Sequence, residues 1–72
     1  MKIRYDDQVD TAYIQLSDLV PSGVIELAAG VNLDVTEDGA VVGIEMLDAS
    51  KKFPLETLFR CEYEPEMFLS HH

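Results

Sequence analysis

The 72-residue chain has no tryptophan, one cysteine and only five lysines and arginines, and each shortage closes a class of function. Without a second cysteine, Cys61 cannot close an internal disulfide, and no cysteine-based zinc site can be assembled. As a nucleophile Cys61 would need a base and an orienting group, but the only histidines, His71 and His72, stand at the extreme C-terminus. The same placement removes any Ser/His/Asp arrangement, so Cys61 reads as a small apolar residue and no catalytic residue is assigned. The few cations face fourteen carboxylates, for a net charge of −9. Binding to nucleic acid relies on cations that replace condensed counterions, so nucleic acid is not expected as a direct partner. A small basic protein is the more natural one, with plain solubility as the alternative use of the charge. No apolar run approaches the roughly 20 residues of a membrane span. Met1-Lys2-Ile3-Arg4-Tyr5 lacks the apolar core of a secretion signal, so a soluble, cytoplasmic protein with no cofactor is expected. Gly39 and Gly43 are not followed by the Lys-Ser or Lys-Thr pair of a phosphate loop.

What the chain does have is Asp34-Val35-Thr36-Glu37-Asp38-Gly39, which can be read in two ways. As a calcium loop, Asp34, Thr36, Asp38 and Glu45 fall at the first, third, fifth and twelfth positions of the motif, and only Thr36 departs from it. Such a loop is held between helices, yet Gly30-Val31-Asn32-Leu33 and Ala40-Val41-Val42-Gly43-Ile44 are β-branched and glycine-containing. The hairpin reading accounts for more residues. If Asp38 and Gly39 are the central pair of a type I′ turn, Glu37 faces Ala40, and Val35, Leu33 and Val31 pair with Val42, Ile44 and Met46 on one face. The other face then receives Thr36 with Val41, Asp34 with Gly43 and Asn32 with Glu45, a mostly polar set.

The rest of the chain fits the same sheet. Ile3 and Tyr5 alternate with Lys2 and Arg4, Asp6 to Asp10 is a polar turn, and Ala12, Ile14 and Leu16 alternate with Thr11, Tyr13 and Gln15. The Asp-rich turn reads as a segment that satisfies its own backbone donors. After the Asp18–Gly23 loop, Val24 to Leu27 forms a further short strand before Gly30 breaks or bulges the chain. Asp48 is then a plausible N-cap for a turn through Lys52, and Pro54 opens a second turn with Leu55, Leu58 and Phe59 on one face. That face covers the sheet or forms a partner interface. Residues 1–72 thus read as a single α+β domain: a small antiparallel sheet of about four or five strands built from two hairpins, then one or two short C-terminal helices. Residues 2–52 make the β-rich core, and 53–72 a C-terminal helix and acidic tail. The first strand, Lys2 to Tyr5, is an edge that a second copy could cover, so a homo-oligomer, with a dimer favoured, is expected.

Five blocks occur in order: Lys2-Ile3-Arg4-Tyr5-Asp6, Val9 to Ser17, Gly30 to Asp34, Glu37-Asp38-Gly39 with Val42 to Glu45, and Leu47-Asp48-Ala49-Ser50. Together they resemble the bacterial family called domain of unknown function 2283, over residues 2 to about 52. The resemblance implies a small stand-alone protein without an assigned activity, and for some members a gene setting like that of antitoxins beside small basic toxins. Two functions compete at this point: a non-catalytic interaction module, in one form antitoxin-like toward a basic partner, and a divalent-metal or small-ligand binder using Asp34, Asp38 and Glu45.

Overall fold

The computed structural model describes residues 1–60 and Glu62. Five strands, β1 (Lys2–Asp6), β2 (Thr11–Gln15), β3 (Gly23–Ala28), β4 (Val31–Val35) and β5 (Val41–Met46), precede a helical turn α1 (Ala49–Lys52) and a 3₁₀ turn (Leu55–Phe59). They form one antiparallel sheet in the order β1-β2-β5-β4-β3. The expected α+β class holds, with the strand number resolved to five. A third hairpin, β3–β4, adds to the two expected; it turns at Gly30, whose φ of 73° is the left-handed conformation that glycine adopts without a steric cost. Leu16 to Ser22 carries the chain past the ends of β5 and β4 to β3, three strand spacings or about 14 Å.

The pairing register sorts the side chains into rows. Ile3, Ile14, Ile44, Leu33 and Ile25 are successive partners across the whole sheet. The chain has four isoleucines, and this row takes all of them. Beside it run Tyr5, Ala12, Met46, Val31 and Ala28. The opposite face carries Arg4, Tyr13, Glu45, Asn32 and Glu26, and then Lys2, Gln15, Gly43, Asp34 and Val24. One face apolar and one polar is what strict period-two alternation produces.

The β4–β5 turn differs from the two-residue turn expected for Asp38-Gly39. Gly39 donates to the Thr36 carbonyl at 3.1 Å and Thr36 to the Ala40 carbonyl at 2.8 Å, so the loop is Glu37-Asp38-Gly39. Gly39 has φ 91° whereas Asp38 does not reach positive φ, as both central residues of a type I′ turn must. Because the loop is a residue longer, Val35 meets Val41 instead of the expected Val42, while Asp34 with Gly43 and the pairs beyond it keep the expected register. Val42 becomes the extra residue of a bulge. It is buried, and its carbonyl accepts from Leu16 at 2.8 Å and Ser17 at 3.1 Å, which ties the end of β2 to β5.

The helical segment also departs from expectation in detail. Asp48 does precede α1, but its φ of 51° is left-handed and its side chain makes no capping bond. Pro54 lies one place before the 3₁₀ turn, not in its first position. In a 3₁₀ turn residues three apart eclipse and the fourth swings away. Leu55 and Leu58 are accordingly half-buried while Phe59 is 88% exposed.

Candidate functional site

The two ends of the sheet are closed by different means. At the end where β1 turns into β2, Asp10 adopts a φ of 51° and gathers partners from distant sequence. Its carboxylate accepts from the Tyr5 hydroxyl at 2.7 Å, the Ser50 amide at 3.0 Å and the Ser50 hydroxyl at 2.6 Å. Its carbonyl accepts from the Ala49 amide at 2.9 Å. Asp10, not Asp48, is therefore the residue that satisfies the free amides at the start of α1. The Ser50 hydroxyl, then the Tyr5 hydroxyl, hold its carboxyl below the ordinary value, and the same bond raises Tyr5. Of the Asp-rich turn only Asp6 caps its own loop, accepting from Gln8 at 3.0 Å. At this end Leu47 also donates to the Gly30 carbonyl at 2.8 Å, and Lys52 Nζ to the Leu47 carbonyl.

On the polar face Tyr13 lies across Gly43 and donates to Asp34 Oδ2 at 2.9 Å. A Cβ at Gly43 would collide with the Tyr13 hydroxyl and ring, and would lie 2.9 Å from the Ile14 carbonyl oxygen. That close approach is why glycine stands within β5. Arg4 stacks over the same ring, 5.2 Å from its centre, and Asn32 donates to Glu45 Oε1 at 3.3 Å. The bond to Asp34 raises the Tyr13 pKa above its ordinary value.

The four candidate calcium ligands are each engaged in other bonds. Asp34 is held by Tyr13 and Glu45 by Asn32, while Thr36 and Asp38 bond to each other within the β4–β5 turn. The Thr36 hydroxyl and then local backbone amides lower the Asp38 carboxyl. Among the described residues no group of three or more Asp, Glu, His or Cys side chains is gathered that could hold a metal ion. A broad, shallow dent at the β1–β2 turn is lined by Arg4, Tyr5, Asp6, Asp7, Gln8, Thr11 and Tyr13.

The apolar face is the other candidate. Among the described residues only Ala12, Val42 and Ala49 are buried hydrophobics. Ile3, Ile14, Ile44 and Leu33 are half-buried and Ile25 is 50% exposed, so the longest aliphatic row is partly covered and is most open at its β3 end. Leu16, Leu19, Val20 and Val41 add exposed apolar surface at the end opposite α1. Of the expected partner interface, Leu55 and Leu58 turn inward and Phe59 stands out as the most exposed large apolar side chain described. Cys61 and the acidic tail lie outside the described residues, and among those that are described no helix is long and apolar enough to cross a membrane.

These features define a small five-stranded antiparallel sheet protein whose polar face is cross-linked by side-chain hydrogen bonds and whose aliphatic row, among the described residues, is only half-buried. A family model described as protein of unknown function (DUF2283) matches residues 2–50. The chain belongs to that family. The match ends at Ser50, so the Asp10 clamp falls inside it and the 3₁₀ turn outside. Comparison with curated proteins and with solved structures gives no match.

Proposed function

We propose that the protein is a non-catalytic interaction module that offers the apolar row Ile3–Ile14–Ile44–Leu33–Ile25 to a small basic protein, with an antitoxin-like role as one form of that reading. The observation that carries it is that, among the described residues, only Ala12, Val42 and Ala49 are buried hydrophobics while the row is left half-buried and Ile25 exposed, in a chain of net charge −9. Contiguous exposed apolar surface rimmed by polar groups is what a protein-binding site requires, and the carboxylates would steer a cationic partner toward it. Phe59, exposed beside the sheet's C-terminal extension, supplies an aromatic anchor of the kind that dominates interface energetics.

The non-catalytic part is supported by the direction of the titrations. Asp10 and Asp38 move down and Tyr5 and Tyr13 move up, each away from the neutral range in which a general acid or base is effective. The test is an anisotropy titration with a labelled amphipathic helical peptide, leucines on one face and lysines on the other. Saturable binding that weakens several-fold as salt rises supports the proposal. No binding, or equal binding of a peptide with glutamates in place of the lysines, contradicts it.

A further inference from the structure

The sheet has two open edges, β1 and β3, and they are defended unequally. Strand β1 presents exposed Lys2, Arg4 and Asp6, the charge pattern that discourages pairing with another chain. Strand β3 has all six residues exposed, including Val24, Ile25 and Leu27 at 65%, 50% and 57%, and its only charge is Glu26. An edge strand carries a row of backbone N–H and C=O groups without ladder partners, and among the described residues nothing along β3 blunts it except the bulge between Glu26 and Ala28.

We propose that a second copy of this chain pairs antiparallel with β3 across a two-fold axis at Ile25. With a second copy as occupant, two-fold symmetry and the strand's side chains favour that register over the one centred on Glu26. A symmetric pairing must put the same face of both sheets on one side, which restricts it to registers centred on a residue of β3. Gly23 and Ile25 belong to the apolar face, and Val24 and Glu26 to the polar one. Centring on Glu26 sets two carboxylates directly opposite, a destabilising arrangement. Centring on Ile25 sets Glu26 against Val24 twice and places the two Ile25 side chains together. The aliphatic row then runs unbroken through both sheets, from Ile3 of one copy to Ile3 of the other, and doubles the apolar surface available to a partner. The expected contact thereby moves from β1 to β3.

The proposal rests on the strand edge and not on a basic partner, so its failure leaves the reading in the previous subsection standing. Sedimentation equilibrium of the full chain, on the order of tens to hundreds of micromolar, reads the association directly. The wild type is expected to be a reversible dimer. Val24→Glu sets like charges opposite each other at two symmetric positions and should raise the dissociation constant roughly two- to thirtyfold. Adding Glu26→Lys to that variant makes both pairs opposite in charge and should restore dimerisation. Circular dichroism identifies folded monomers, because both sites are exposed on an edge. A wild type that stays monomeric, a V24E chain that dimerises like wild type, or a V24E/E26K chain that is not rescued would each overturn the proposal.

Discussion

The two ends of the sheet contain similar acidic turns that do different work. At the α1 end, Asp10 reaches Tyr5, Ala49 and Ser50, so one turn residue fixes a strand and a helix 40 positions away in sequence. At the other end, Thr36, Asp38, Gly39 and Ala40 bond only among themselves. The first turn makes a tertiary joint and the second makes a hairpin.

The sharpest way to break this contrast is Asp10→Ala, which strips the cap from α1 and the partner from Tyr5. A fall in melting temperature of roughly 5–10 °C is expected, with loss of hydrogen-exchange protection at Ser50 but not at Ala40. Gly43→Ala, midway between the ends, comes next. The added methyl must displace the Tyr13 ring and break its bond to Asp34, which should cost about 1–3 kcal/mol by denaturant unfolding. Gly39→Ala tests the local end alone: nothing lies near the new methyl, and only the left-handed φ penalises it, by about 1 kcal/mol.

Acid separates the ends more finely. Asp10 and Asp38 both titrate below their ordinary 3.8 in the folded state. A carboxyl with a lowered folded pKa contributes stability that is complete above the unfolded value and disappears as pH falls through the folded one. Melting temperature should therefore decline below about pH 4. Asp10→Asn should flatten part of that decline, and Asp38→Asn a smaller part.

The strands were legible because their residues alternate, and the Leu33–Ile44 and Val31–Met46 pairs could be counted outward from an Asp-Gly signal. The same dipeptide serves both a two-residue turn and a three-residue loop with glycine left-handed, so the three pairs nearest the turn, Glu37–Ala40, Thr36–Val41 and Val35–Val42, slipped by one. Asp48 looked like the cap because it precedes α1. The residue that performs the role lies beside it only after β2 has paired with β5, a contact no local rule supplies. That pairing also hides Tyr13 above Gly43; the available signal was a glycine inside a strand, which marks close approach without naming what approaches. Phe59 was grouped with Leu55 and Leu58 by helical spacing, which a 3₁₀ turn does not keep.

The account depends on an aliphatic row that the fold leaves only half-buried, and the chain's four isoleucines all lie in it. Methyl-labelled isoleucine spectra therefore report on that surface with four signals and little else. Contacts from Ile3 to Ile14 and from Ile14 to Ile44, broadening of the Ile25 methyl by a soluble paramagnetic probe, and displacement of the row's signals by the basic amphipathic peptide are the predicted result. Missing contacts along the row, or signals that neither probe nor peptide disturbs, would contradict it.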